Sequence, residues 1–355
     1  MFKSVLAHYG IDAAECEIAP FGTGLINNTW KVSLNNDAYI LQRINQNVFK
    51  IPQYIADNIR MIGDYLKTHS PGYRFVMPLS TEDGKDLVQE GSGFFRLMPF
   101  IRDSRTYIVA SDTSIAREAA KRFGEFTSRL AGFDATKLKI TLPDFHNLTL
   151  RYHQFEQSLA TGNSERIAHC AEEIEFIKKH RDIVSTYQKI EQDKSFRKRV
   201  THHDTKISNI LFDENNNGIC VIDLDTTMAG YYISDVGDMM RTYLCPIGEE
   251  ENNFENIQVR EDYFIAIAGG YLQEIIDELS ENELNHFVYS GEFIIYMQAV
   301  RFLADYFNND VYYGSRYPEH NLMRARNQMV LLQRYLAKAP LFKKEVLQLA
   351  GSLTR

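Results

Sequence analysis

Cysteine is scarce in this chain: four among 355 residues, at Cys16, Cys170, Cys220 and Cys245, with no CxxC pair. That spacing builds neither a zinc ribbon nor a disulfide framework, and it fits a reducing compartment. Long apolar runs are missing too. No uncharged stretch approaches the roughly 20 residues that cross a bilayer. The segment Met1 to His8 carries Lys3 inside a short apolar run and has no cleavable signal core. Positive charge is in the minority: 39 lysines and arginines against 47 aspartates and glutamates leave a net charge of −8. A dominant electrostatic grip on nucleic acid is therefore not expected. Internal repeats and low-complexity tracts are absent. What is present is an ordinary globular composition, 44% hydrophobic and 24% charged, long enough to bury a large core without disulfides or a structural metal. At about 150 residues per domain the length predicts two domains or lobes. The expectation is a soluble cytoplasmic protein with no nucleic-acid, membrane or obligate protein partner.

Strand signals dominate the first hundred residues. Trp30 to Leu34 and Tyr39 to Ile44 are β-rich runs around an Asn35-Asn36-Asp37 turn. Ahead of them lies the glycine-bearing segment Phe21-Gly22-Thr23-Gly24-Leu25-Ile26-Asn27-Asn28-Thr29. Helical spacing of Ile55, Ile59, Ile62 and Leu66 marks Gln53 to Lys67, stopped by Pro71-Gly72. Strands at Lys85 to Gln89 and Gly93 to Met98 flank Gly91-Ser92. Beyond Pro99 the period becomes helical. Ile115, Ala119, Phe123, Phe126 and Leu130 line one face behind a Ser111 or Asp112 cap. Ser164 to Lys194 reads as a solvated pair of helices. Strand character returns at Asn209 to Phe212 and Gly218 to Leu224, and helices at Tyr263 to Leu279, Asn282 to Phe307 and Asn321 to Ala337. The predicted class is α+β: a small β-rich lobe over 1–98 and a larger, mainly helical lobe over 99–355.

Chemistry concentrates in Thr201-His202-His203-Asp204-Thr205-Lys206-Ile207-Ser208-Asn209 and, after a turn, Ile222-Asp223-Leu224-Asp225. Two short strands with a tight connection bring their ends together, so two carboxylates and an amide oxygen converge. A hard Mg²⁺ needs only one or two such protein ligands, because it keeps waters and shares substrate oxygens. Phosphoryl transfer requires one further carboxylate to orient or deprotonate the attacking hydroxyl. Asp204 suits that role, and Asn209 and Asp223 suit the metal. Asp225 either supports the metal through water or faces away, since alternate strand residues point oppositely. Each residue also has a plainer reading. Asp and Asn favour turns, an isolated Gly-x-Gly is more often a tight turn, and Ser234-Asp235 before an apolar helix starting near Met239 reads as an N-cap.

H-x-D-x-x-x-x-N followed by I-D-x-D resembles the catalytic and metal loops of the aminoglycoside phosphotransferase and choline kinase superfamily. Six motifs in order make the N-acetylhexosamine 1-kinase branch the nearest likeness: Phe21-Gly22-Thr23-Gly24, Tyr39-Ile40-Leu41-Gln42, Thr201 to Lys206, Ile222 to Thr226, Arg301 to Tyr306, and Tyr317 to Leu322. The resemblance implies a bilobal protein-kinase-like fold, ATP as donor, Mg²⁺, and an N-acetylhexosamine (GlcNAc or GalNAc) whose anomeric hydroxyl becomes the 1-phosphate. It implies that Gly22, Thr23, Gly24 and Gln42 flank the nucleotide, with adenine against a hinge at Met98, Phe100 and Ile101. It implies that Arg301 and Tyr312, with Asp204, contact the sugar. His202 would anchor the catalytic loop, and Asp235 would brace it from behind.

Two positions depart from the pattern. The superfamily usually places on strand three a lysine or arginine that reaches the α and β phosphates, paired with a helical glutamate. Gln42 stands there instead, with Arg43 on the opposite strand face, and Arg60 in the next helix is one candidate substitute. Leu25 stands where the branch would place a polar sugar contact. Other acceptors (homoserine, choline, an aminoglycoside) and a nucleotide-binding pseudokinase remain the rival readings.

Overall fold

Up to Pro99 the chain folds as a five-stranded antiparallel sheet with two helices. In the computed structural model, which describes residues 1–354 apart from Thr23 and Leu25, α1 (Phe2–Ala7) leads to β1 (Glu17–Pro20), β2 (Asn28–Leu34) and β3 (Asp37–Ile44). Then come α2 (Pro52–His69), β4 (Val88–Glu90) and β5 (Gly93–Pro99). The spatial order is β1-β2-β3-β5-β4. Leu34 pairs with Asp37 across a two-residue turn, so Asp37 belongs to the strand rather than the turn. Asn35 takes φ 51° there, a left-handed conformation that asparagine tolerates.

Strand alternation gives the sheet two faces with different tasks. Val32, Leu41, Phe95 and Leu97 join Val5 and Leu6 of α1 in a small core. The opposite face carries Thr29, Lys31, Ile40, Gln42, Arg96 and Met98. Helix α2 buries Ile55, Ile59, Ile62 and Leu66, yet these belong to the large core beyond Pro99. Asn58 of α2, fully buried, donates to Lys139 O at 2.8 Å and Thr227 O at 3.0 Å. Helix α2 thus packs into the large core although it precedes Pro99 in the chain.

The larger part opens with α3 (Thr113–Arg129), capped by Asp112, whose carboxylate accepts from Ser114 N and Ile115 N at 2.9 and 3.0 Å. Next come α4 (Leu148–Thr161), α5 (Ser164–Ala168), α6 (Ala171–Lys179) and α7 (Asp182–Gln192). The charged stretch expected as two solvated helices is thus three short ones. One side of it is buried through Cys170, Ile177, Ile183, Val184, Tyr187 and Ile190. Strand β6 (Arg199–Thr201), the hairpin of β7 (Ile210–Phe212) and β8 (Gly218–Val221), and β9 (Met228–Gly230) follow, with β6 paired to β9.

The remaining helices are α8 (Ile233–Tyr243), α9 (Glu261–Ile275), α10 (Glu281–Asn285), α11 (Tyr289–Phe307) and α12 (His320–Leu353). Helix α8 starts at Ile233 rather than near Met239, so Ser234 and Asp235 lie in its first turn and Ser234 caps nothing. The helix expected over 282–307 divides after Asn285 into the short α10, which a Ser280/Glu283 capping box starts, and α11. Helix α12 runs on past Ala337 through Pro340, losing one backbone hydrogen bond there. Burial of Phe342 against Phe264, ring centroids 3.8 Å apart, offsets that loss.

Candidate active site

The β7–β8 hairpin sets the geometry. Ile210 pairs with Val221 and Ile222 N donates to Asn209 O at 2.9 Å, which brings Asn209 and Asp223 to the same end. Asp223 then turns into the left-handed region at φ 60°, ψ 58°. Asn209 Nδ2 donates to Asp204 O at 2.8 Å and to Asp204 Oδ2 at 3.2 Å. Its amide oxygen is left for another partner. Lys206 Nζ lies 3.0 Å from Asp204 Oδ1. Enclosure pushes the Asp204 carboxyl up, but the Lys206 charge and the neighbouring His202 ring outweigh it and hold the pKa below the usual carboxylate value. At Asp223 enclosure comes first and the Asp225 and Asp204 carboxylates add to it, pushing the pKa up to about 7.

The loop carrying Asp204 is fastened from behind. Asp235 Oδ2 accepts from His202 N at 3.0 Å and Oδ1 from His203 N at 2.7 Å, while Asp235 O accepts from the Thr205 hydroxyl at 2.7 Å. The carboxylate that the sequence suggested as a helix cap thus spends itself on the catalytic loop. His202 is fully buried; Nδ1 accepts from Asp204 N at 3.3 Å and Nε2 meets Ile222 O at 2.9 Å. Both ring nitrogens are engaged, leaving no lone pair for a base. His203, at φ 67°, lies with Nδ1 at 3.0 Å from Thr201 O and 3.1 Å from Thr226 O, and burial pushes its pKa down to about 4.

On the sheet side Gly22 takes φ +78°, and a Cβ at Gly22 or Gly24 would meet nothing within 4 Å. Thr23 and Leu25 lie outside the described residues. Phe21 meets Phe100 edge-to-face at 5.8 Å, so the glycine segment and the stretch after β5 adjoin. Phe100 N donates to Ala38 O at 3.1 Å, Met98 pairs with Ile40, and Ile101 O accepts from the Ser104 hydroxyl at 2.6 Å. Arg60 does not reach the cleft: its guanidinium pairs with Asp86, Nε at 2.9 Å from Oδ2. Asp225 is held from the sheet side. It accepts from Asn27 Nδ2 at 2.7 Å and lies 2.5 Å from Arg96 Nη2, with both partners of that ion pair buried.

A second set of side chains adjoins Asp204 through Arg241, which lies 3.1 Å from Asp238 Oδ1 and 3.0 Å from Glu249 Oε2. Glu249 also pairs with Arg324, whose guanidinium stands 5.3 Å from the Tyr313 ring. Arg301 stands 5.3 Å from that ring, 5.6 Å from Tyr312 and 5.9 Å from Phe145, and donates to the Tyr312 hydroxyl at 3.3 Å. Asp305 holds this corner, accepting from Tyr312 N at 2.8 Å and Tyr313 N at 2.9 Å, with Asn321 Nδ2 donating to it at 3.1 Å. His146 completes the set. Burial, then the His203 and Arg301 charges, keeps it neutral far below its ordinary pKa.

Residues 17–266 match the model of the phosphotransferase enzyme family. The chain belongs to that family. Solved structures share its protein-kinase-like fold along nearly the whole length. A microcompartment-associated aminopropanol kinase is 17% identical, with a TM-score of 0.64, covering 96% of this chain and 98% of its own. A spectinomycin phosphotransferase in complex with ADP and spectinomycin is 14% identical, with a TM-score of 0.58 and 96% of each chain covered. A choline kinase from Cryptosporidium parvum is 14% identical, with a TM-score of 0.53, covering 97% of this chain and 95% of its own.

For this phosphotransferase the donor set fits Mg²⁺. Among the described residues no three His, Cys, Asp or Glu side chains gather to hold a metal alone. One carboxylate and one amide oxygen are what a strongly hydrated dication needs when substrate oxygens complete the sphere. The Asp225 and Asp204 carboxylates add to enclosure in raising the Asp223 pKa, and a cation at Asp223 would offset both. Lys206 could have been found in the sequence, two residues after Asp204. Asn27, Arg96, His146 and the Arg241–Glu249–Arg324 chain are brought in by long-range packing and have no local motif.

Proposed function

We propose that the chain is an ATP- and Mg²⁺-dependent kinase that phosphorylates the anomeric C1 hydroxyl of an N-acetylhexosamine. The convergence of Asp204, Asn209 and Asp223 at the end of one hairpin carries the reaction type. The acceptor's C1 oxygen attacks the γ phosphorus as the bond to the β–γ bridging oxygen breaks. Its proton passes to Asp204, and ADP leaves. Mg²⁺ held by Asn209 and Asp223 would neutralise charge on the transferring phosphoryl group. Asp204, held ionised by Lys206, orients the hydroxyl more than it abstracts the proton. Lys206 sits where it can also neutralise phosphoryl oxygens. Adenine lies along Met98, Phe100 and Ile101, and the glycine segment covers the phosphates.

The acceptor reading rests on charge. Near Asp204 the Glu249 carboxylate is taken by Arg241 and Arg324, and Asp238 meets Arg241 through Oδ1, its Oδ2 having no partner among the described residues. Arg301 and neutral His146 add donors beside the Phe145 and Tyr312 rings. Such a set of donors and rings suits hydroxyls and an acetamide carbonyl, and the three arginines disfavour a cationic acceptor on their side. Structural likeness to aminopropanol and choline kinases favours an amino alcohol as the second reading. A coupled ADP-release assay over GlcNAc, GalNAc, aminopropanol, choline and homoserine separates them. Turnover with an N-acetylhexosamine should exceed that with any amino alcohol by about tenfold or more in kcat/KM. The reverse order refutes the acceptor assignment, and no acceptor-dependent release leaves only a nucleotide-binding module.

A further inference from the structure

Gln42 of β3 stands directly opposite Arg96 of β5, both on the sheet face turned toward the hairpin. Arg96 is only 2% exposed. Its Nε and Nη2 both donate to Gln42 Oε1, at 2.9 and 2.8 Å. Gln42 is itself aimed, since its Nε2 donates to Thr29 Oγ1 at 3.2 Å. Nη2 also touches Asp225 Oδ1 at 2.5 Å, but the contact is not directed along an N–H. Arg96 Nη1 and Asp225 Oδ1 both lack a hydrogen-bond partner among the described residues. A buried guanidinium with a spare donor nitrogen is costly to keep, and such a group in a folded protein calls for an explanation.

Location supplies one. Asp225 is two residues from Asp223 and is tied by Asn27 to the glycine segment. Arg96 therefore lies where that segment, the sheet and the hairpin meet. A nucleotide with its base at Phe100 and its γ phosphate at Asp223 must lay its other phosphates past this junction. Lys31, the other cation on this sheet face, sits 4.4 Å from the Phe100 ring at the hinge end, and Arg60 is bound to Asp86. A neutral residue at position 42 also matters: its oxygen aims the arginine, whereas a second cation would repel it.

We propose that Arg96, aimed by Gln42 and Asp225, is the sheet-side cation that takes the nucleotide's α and β phosphate oxygens through Nη1. This rests on the chain being an ATP-dependent kinase. The test compares wild type, Arg96→Met and the double variant Gln42→Lys with Arg96→Met, reading ATP KM, acceptor KM, kcat and the ATP-induced thermal shift. Arg96→Met should raise ATP KM about tenfold or more and abolish the thermal shift while acceptor KM holds. Lysine at position 42 should recover most of the ATP affinity by returning a cation from β3. A folded Arg96→Met protein with unchanged ATP KM and thermal shift overturns the proposal, as does a double variant no better than the single one. If Arg96→Met does not fold, Gln42→Ala should still raise ATP KM by removing the aim, and an unchanged KM overturns the proposal. If wild type turns over no acceptor, the kinase reading fails. The thermal-shift comparison then still decides the claim on Arg96, with equal shifts, or none in wild type, overturning it.

Discussion

Asp204 holds two donors at once, Lys206 Nζ on Oδ1 and Asn209 Nδ2 on Oδ2. A carboxylate so held is ionised at neutral pH and a weak base. In the proposed reaction its value lies in placing the acceptor hydroxyl in line with the γ phosphorus, where orientation removes much of the barrier. Asp204→Asn keeps the shape and removes the charge. That variant should lose about 10³-fold in kcat, while the ATP-induced thermal shift persists. Near-normal turnover would show that the carboxylate does not act on the hydroxyl. Asp204, Asn209 and Asp223 were legible in the sequence because one short hairpin joins them. Arg96 was not, because its meaning depends on Gln42 and Asp225, which only the folded sheet brings beside it.

Single elements show why some readings shifted. The start of α8 was masked by its polar first turn, in which Asp235 serves the loop ahead of the helix. The apolar side of α5–α7 was hidden because charged residues outnumber the few buried ones. Helix α11 carries a feature with a measurable consequence. Glu292 lies in its first turn, facing Lys343, Asp182 and Tyr335, and burial pushes its pKa up to about 7. The folded state thus holds a proton that the unfolded chain releases at lower pH. Stability from this group is present below the unfolded value and declines as pH rises toward 7. Glu292→Gln should raise Tm by roughly 2–4 °C at pH 8 and leave it within about 1 °C at pH 5. An equal change at both pH values would show that Glu292 is ionised throughout.

At the scale of the molecule, two cores meet across the cleft with unequal shares. The sheet keeps a small core with α1, while α2 crosses into the large one and locks there through Asn58. Chain order gave the two-part architecture, since the hydrophobic period changes at Pro99. It did not give the allocation of α2, whose amphipathic pattern fits either partner. In the proposed reaction the β7–β8 hairpin handles the phosphates, and the arginine–tyrosine corner held by Asp305 selects the acceptor. Both parts of the account converge on one bond, from the transferred phosphorus to the sugar's C1 oxygen. Proton-coupled ³¹P NMR of the product from ATP, Mg²⁺ and GlcNAc reads that bond directly. The account predicts a phosphomonoester doublet whose coupling partner, read by ¹H–³¹P correlation, is the anomeric proton. Correlation to a ring proton at C3 or C4, a triplet from the C6 methylene, or no phosphomonoester at all would contradict it.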